Sequence, residues 1–373
     1  MAKKALLTVD GVHRKVKKGF ITDDASIHRK IKKAFMTVGG VYRPCWSGGE
    51  LEYYGTITGL SRARYKLSAT NAGDFAIFCG GDDGDYTDIV DAYSPTLTRS
   101  TRYGHVASLP AAASFNGKAY FAGGRKGSSS CANSVYAIDE SLTGTYPFTL
   151  YYSREEFAGA VVGDYLIFGS GSSYSSNGYN TWDFYSSAGT HTYERLGDTY
   201  DWCGYGAASV ADYAIFAGGG KTSVSAALTQ AVAYNASLTR SNIASLSSAR
   251  WPAGVSLGGY AIFAGGGPHN MSNSAVIDAY DNSLTRIKPA NFSTARRMHG
   301  STTLMGEYAL FGGGSGPLAS VEAYDTSLTR TNPTDLSVAR YGLAAASAGN
   351  YAIFAGGYYG FNECADAEAY TIA

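Results

Sequence analysis

The chain has 373 residues, 30 basic and 30 acidic side chains, 45% hydrophobic residues and 47 glycines. Such a balance, with only 16% of residues charged, fits a globular body with a large core and many tight turns. No apolar run approaches the ~18–20 residues of a membrane-spanning helix, the N-terminus has no signal-peptide layout, and Cys45, Cys79, Cys131, Cys203 and Cys364 are odd in number without paired metal spacing. Synthesis in a reducing cytoplasm is expected, and neither a disulfide framework, a metal nor a cofactor is called for.

The zero net charge conceals two opposite parts. Residues 1–47 hold eleven Lys or Arg against three Asp, a net of +8, and residues 48–373 carry the compensating −8. Within the basic part, Val12-His13-Arg14-Lys15-Val16-Lys17-Lys18-Gly19-Phe20 recurs fifteen residues later as Ile27-His28-Arg29-Lys30-Ile31-Lys32-Lys33-Ala34-Phe35, and Val41-Tyr42-Arg43-Pro44 is a truncated third copy. Val12, Arg14, Val16, Lys18 and Phe20 share one side of a period-two pattern, which predicts short strands. From Gly11 to Phe20, Ser26 to Phe35 and Gly40 to Trp46 the segment resembles the basic tandem repeats that begin structural and tail-associated proteins of phages and prophages of Gram-positive bacteria. The resemblance implies an anchoring segment, in which Arg14, Lys15, Lys17, Lys18, Arg29, Lys30, Lys32 and Lys33 dock on acidic proteins of a particle. Nucleic acid is not the expected partner.

From residue 50 onward one motif is written seven times: an aromatic, two or three aliphatics and a small pair, as in Tyr351-Ala352-Ile353-Phe354-Ala355-Gly356-Gly357. The first members of the pairs stand at 80, 123, 170, 218, 265, 313 and 356, in steps of 43, 47, 48, 47, 48 and 43 residues. A strand ending in Tyr follows each pair, as in Val90-Asp91-Ala92-Tyr93 and Val321-Glu322-Ala323-Tyr324, and then Ser-Leu-Thr-Arg or a worn copy, with Leu97, Leu142, Leu238, Leu284 and Leu328 in register. Four short strands per unit cannot bury both of their faces alone, so the units must stack radially, and the expected fold is all-β with seven four-stranded blades. Glu52-Tyr53-Tyr54-Gly55-Thr56-Ile57-Thr58 is placed as a fourth strand, and the chain ends on Ala369-Tyr370-Thr371-Ile372-Ala373 as a third. Residues 48–373 are therefore expected to close by pairing their two ends in a 3+1 blade.

The hydrophobic run closed by Gly-Gly, followed at a fixed distance by a strand-borne Tyr, resembles the kelch-type β-propeller family over roughly residues 50–373. The family's usual Trp on the fourth strand is replaced by Ser-Leu-Thr-Arg, a substitution that tail-associated kelch-like blades share. The family includes galactose oxidase, whose copper site uses histidines, tyrosines and a Cys–Tyr crosslink. His105, His191, His269 and His299 form no matched pair of ligand motifs, and no nucleophile elbow, phosphate loop or His-Glu-x-x-His helix is present.

In such a blade the second-to-third strand loops and the blade-to-blade connections share one face. The loops on that face vary in length and chemistry, whereas the turns on the other face are uniform, so recognition is expected on the variable face. Its candidate contacts are Arg64, Tyr65, Arg154, Trp202, Arg250, Trp251, Arg297, Arg340 and Tyr341 at the connections, and Tyr174, Tyr179, Trp182, Tyr358, Tyr359 and Phe361 in the loops. An Arg beside an aromatic ring can fork onto carboxylate or phosphate and stack on sugars, but a repeated junction Arg equally suits a structural ion pair. Asp82, Asp83, Asp85 and Asp88 offer oxygen ligands for calcium without a full loop motif. Glu155, Glu156 and Asp201 leave a paired-carboxylate glycosidase open.

The reading that unites these features is a non-enzymatic, virion-associated adhesion module. Its basic segment would dock to other tail proteins, opposite the variable loops, and its propeller would bind a host-surface glycan or polymer, with a homotrimer as one consistent assembly. An intracellular kelch-type adaptor and a glycan-active enzyme are the alternatives.

Overall fold

The computed structural model describes residues 50–372 except 174–177, 197–201, 222–225 and 268–272, and of residues 1–49 only the backbone of short strands. Two compact units result, Met1–Glu52 with Thr371–Ala373, and Tyr53–Tyr370. The first contains antiparallel hairpins, Leu6–Val9 with Val12–Lys15, Phe20–Thr22 with His28–Lys30, and Lys33–Val38 with Val41–Ser47. Arg14, Lys15, Arg29, Lys30 and Lys33 fall in these strands, whereas Lys17, Lys18 and Lys32 lie outside the described residues, as do all of these side chains.

The second unit is a seven-bladed β-propeller. Its innermost strands are Ser68–Ala72, Ala111–Phe115, Gly159–Val162, Trp202–Val210, Ala253–Leu257, Gly300–Leu304 and Ala344–Ala348, and each touches the next until the last meets the first. Each is followed by antiparallel strands of the same sheet, as in the first blade with Phe75–Cys79, Ile89–Tyr93 and Arg99–Tyr103. The second strands are continuous apolar runs such as Phe75-Ala76-Ile77-Phe78-Cys79 because both of their faces are covered by neighbouring blades, and all but their first residues are buried. Among the described residues no helix is long and apolar enough to cross a membrane.

The Ser-Leu-Thr-Arg motif is the turn between third and fourth strands. Asp281 shows why: its carboxylate accepts the backbone N–H of Ser283 and Thr285 at 2.8 and 2.9 Å, and Asp325, Asn235 and Asp139 repeat the arrangement. This clamp forces the fourth residue into the left-handed region, with φ between +58° and +61° at Leu97, Leu142, Leu238, Leu284 and Leu328. Glycine would adopt that conformation more easily, but these leucines pack against the core clusters between blades. Packing therefore outweighs local strain of roughly 1 kcal/mol.

What joins blade to blade is a buried ion pair. Arg64, Arg154, Arg250, Arg296 and Arg340 are all 0% exposed, and they meet Asp91, Asp183, Asp278, Glu322 and Glu368 on third strands at 2.7–2.9 Å. The same guanidinium groups donate to the carbonyls of Phe78, Phe168, Phe263, Phe311 and Phe354, which close the apolar runs. Each acid is held further from the connection: Ser61, Ser247 and Ser293 donate both backbone N–H and hydroxyl, and Tyr151 and Ser337 their N–H. A second cation flanks several of the acids, namely Arg99, Arg286 and Arg330 from the Ser-Leu-Thr-Arg turns or their worn copies, and in the third blade the His191 imidazole lies 2.7 Å from Asp183.

Two junctions lack the pair on both sides. In the second blade Ala107 and Tyr136 take the two positions; in the fourth, Trp202 and Val232 do. Trp202 Nε1 nonetheless donates to Gly218 O at 2.6 Å, and His105 Nε2 lies 2.6 Å from Gly123 O, as Arg64 Nε donates to Gly80 O at 2.9 Å. A donor to the first carbonyl of the small pair is thus kept where the charge pair is not.

The seventh sheet runs Ala344–Ala348, Tyr351–Ala355, Ala367–Ile372, Leu51–Ile57. Its acid, Glu368, has Tyr53 where other blades have the turn cation, and the phenol donates at 2.7 Å. Removing residues 1–58 should therefore lower the melting temperature much more than removing 1–47, because it strips both strand and hydrogen bond from Glu368; equal melting of the two truncations would contradict this.

Arg250→Met leaves the Asp278 carboxylate buried without its partner and should cost about 3–5 kcal/mol. Adding Asp278→Leu should recover a large part of that loss, as the paired apolar exchange in the fourth blade suggests. Urea unfolding of the single and double variants checks it, and a double variant less stable than the single one would count against the account.

Candidate functional site

Two residues beyond each junction Arg the chain turns inward with left-handed backbone. Lys66, Leu109, Glu156 and Met298 have φ of +53°, +49°, +58° and +51°, and glycines 204 and 342 take the same position. Leu109 N donates to Lys66 O, Lys66 N to Gly342 O and Gly342 N to Met298 O at 2.7–2.8 Å, and Gly204 N donates to Glu156 O at 2.6 Å. The fifth junction, Arg250-Trp251-Pro252, is one residue shorter, and the Trp251 ring lies against Gly204. These residues rim the axial channel on the variable-loop face. Lys66, Leu109, Met298, His299 and Gly342 line a cavity of ≈270 Å³ there. Four non-glycine residues held in a sparsely populated conformation at one mouth mark it as a candidate site.

Above the rim, the residue after the junction Arg pairs through its backbone with the first residue beyond the small pair: Tyr65 with Asp82, Glu155 with Ser172, and Tyr341 with Tyr358. The side chains form an arc across blades seven, one, two and three. The rings of Tyr341 and Tyr358 are 5.6 Å apart and those of Tyr358 and Tyr65 4.9 Å, and the Lys66 ammonium lies 4.7 Å over the Tyr65 ring. Burial, then the Asp82 and Glu363 carboxylates, raise the Tyr65 phenol above its ordinary range, so it remains a hydrogen-bond donor at neutral pH. Beyond it, Arg125 forks onto Glu155 at 3.0 and 2.8 Å, and Ser172 Oγ donates to Glu156 at 3.0 Å.

The sequence-derived contacts divide accordingly. Tyr65, Trp251, Arg297, Tyr341 and Tyr358 reach this face half-buried, and Tyr359 and Phe361 are 52% and 92% exposed at a hairpin tip where Phe361 has φ +73°. Arg64, Arg154, Arg250 and Arg340 are consumed by the junction pairs and offer nothing to a ligand. Trp182 is a third-strand residue, 0% exposed, packed with Trp202, Tyr205, Phe216 and Tyr234 where the fourth junction has no ion pair. Trp202 is buried in the same cluster, so neither tryptophan is a surface contact. Tyr174 and Asp201 lie outside the described residues, and so does the Tyr179 side chain. Of the loop aspartates, Asp83 pairs with Arg62 at 2.6 Å and Asp82 accepts the N–H of Gly84.

No family model matches the chain, and no curated protein matches it. Solved structures do. A fungal alcohol oxidase of the AA5 family in complex with copper superposes with a TM-score of 0.63 at 14% identity, over 87% of this chain and 76% of the oxidase. The structure of YjhT superposes with a TM-score of 0.58 at 12% identity, over 74% of this chain and 99% of YjhT. At such identities the likeness shows the fold, a seven-bladed β-propeller. It also corrects one expectation: the same fold carries an alcohol oxidase in complex with copper, so the absence of a familiar catalytic motif does not make this chain a non-enzyme.

Copper does not suit the described residues, outside which His269 lies. Among the described residues no group of three His, Cys, Asp or Glu is placed to hold a metal. His105 is spent on Gly123 and Ser134, and His191 on Asp183. His299 lies between the carbonyls of Gly300 and Ala264. Burial, reinforced by the Arg296 charge, pushes this last imidazole down to about 4 from 6.5. It stays neutral when folded while the unfolded chain takes up its proton below 6.5, so stability should fall between pH 6.5 and about 4. In His299→Asn that part of the decline should flatten, as urea midpoints at about pH 7, 5.5 and 4.5 will show.

Proposed function

We propose that the chain is a carbohydrate-directed propeller whose ligand sits at the channel mouth of blades seven, one, two and three. The observation that carries this reading is the Tyr341–Tyr358–Tyr65 arc beside Lys66 and Asp82. Clustered phenol rings bury the C–H face of a sugar, and flanking carboxylates and ammonium groups take up its hydroxyls. The exposed Tyr359 and Phe361, on the hairpin next to Tyr358, extend the aromatic surface at this face.

A glycan-active enzyme is the second reading. It is favoured by the oxidase among the structural neighbours and by Asp82, Glu156 and Glu363, which supply carboxylates at the same mouth without a metal. Attachment to a virion rests on the basic segment, whose side chains lie outside the described residues, and no comparison supports it.

Tyr65→Ala and Tyr358→Ala should each weaken binding to an oligosaccharide array by about tenfold with unchanged melting; wild-type binding in both would remove the mouth as the site. Incubation of wild type and Glu156→Gln with array ligands, followed by product chromatography, separates binding from turnover.

A further inference from the structure

We propose that the cleft between the outer edges of the first and second blades is a separate carbohydrate subsite that holds one neutral sugar ring. It does not depend on the mouth reading, because none of its residues touches the arc. The cleft is an open depression of ≈340 Å³ lined by Asp88, Arg102, Tyr103, Tyr136, Leu142 and Tyr146, with glycines 104 and 144. That volume is within the roughly 300–1,000 Å³ of small-molecule sites.

The cleft exists because the second blade has no junction ion pair. Tyr136 stands where other blades carry the acid, and its larger ring demands room at both ends. A Cβ on Gly104 would meet the Tyr136 ring at 2.5 Å, and one on Gly144 would meet its hydroxyl at 2.1 Å. The two glycines therefore make room for the buried Tyr136 ring, which forms the floor of the cleft. Tyr146 is fixed across it: its hydroxyl donates to Gly104 O at 2.9 Å, and its ring lies 5.3 Å from Tyr136. Tyr103 is 72% exposed and Tyr146 58%, so both rings are available to a ligand.

The polar groups decide the class of ligand. Asp88 is half-buried and Arg102 exposed, and the Arg102 guanidinium donates to the carbonyl of Thr101, its own neighbour. A carboxylate accepts two hydroxyls and a guanidinium donates to ring or hydroxyl oxygens. One charge of each sign suits an uncharged polyol better than a uronic or phosphorylated sugar. Two tyrosines supply the apolar faces that a pyranose ring needs.

The test uses the full chain on immobilised neutral, amino-sugar and uronic-acid oligosaccharides, with saturation-transfer NMR on the free oligosaccharides. Wild type should bind neutral oligosaccharides, Tyr103→Ala should lower that affinity about tenfold, Tyr103→Phe should retain it, and Tyr65→Ala should leave the Tyr103-dependent saturation-transfer signal intact. Asp88→Asn, which keeps shape, supplies an independent measurement if Tyr103→Ala melts early. Wild-type affinity in both Tyr103→Ala and Asp88→Asn overturns the subsite, as does a wild type that binds no neutral oligosaccharide. Loss in Tyr65→Ala alone upholds the mouth and overturns the cleft.

Discussion

The propeller depends on one repeated interaction, a guanidinium buried between blades and neutralised by a carboxylate of a third strand. Each blade alone would leave its apolar second strand exposed on both faces, so burial drives the stacking. Burial does not set the angle between blades. A fully desolvated Arg aimed at one carboxylate, at the carbonyl of a Phe and at a serine-capped turn fixes that geometry, since any slip would leave a charge unpaired in a dry interior. The serine two residues ahead of Ala-Arg, in Leu246-Ser247-Ser248-Ala249-Arg250 and Leu336-Ser337-Val338-Ala339-Arg340, makes the connection part of the same network.

Where this network is absent the molecule departs from its own regularity. The fourth junction replaces charge by an aromatic cluster around Trp182 and Trp202. The second replaces it by Tyr136, seated between two glycines, and the outer cleft lies over that ring. The rim position two residues after the junction carries Lys, Leu, Glu and Met instead of a uniform glycine, at a conformational penalty that the uniform turns do not explain. Irregular junctions thus fall at the second, fourth, fifth and sixth blades, whereas the exposed aromatic rings lie from blade seven to blade three.

The architecture was legible because its signals are periodic. Seven small pairs, strand-borne tyrosines and a shared turn motif count blades without any knowledge of contacts. The site was less legible because the residue types that make junctions also make binding sites. Arg64, Arg154, Arg250 and Arg340 read equally as ligands' partners or as ion pairs, and only the third-strand acids at 91, 183, 278 and 368 distinguish the two. Those acids sit at a constant place just ahead of the strand-borne Tyr or its equivalent, so the signal was present as a covarying pair within the repeat. Trp182 shows the same ambiguity: counted from the small pair it reads as loop, but counted from Asp183 it falls at the core position of Val90.

Register explains the remaining difference. Spacing to the small pair selects Arg297 as the sixth junction cation, since 16 residues separate it from Gly313 as they separate Arg64 from Gly80. The structure uses Arg296, because the turn between Leu304 and Tyr308 has three residues where that between Ala72 and Phe75 has two. A one-residue insertion on one face thus moved the apparent junction on the other. Arg297, displaced from the network by that step, stands half-buried at the mouth with its carbonyl accepting the N–H of Ser315. In a repeat protein a slipped copy is where a structural residue type becomes free for other chemistry, so the irregular junctions, rather than the best-preserved repeats, are where function is to be sought.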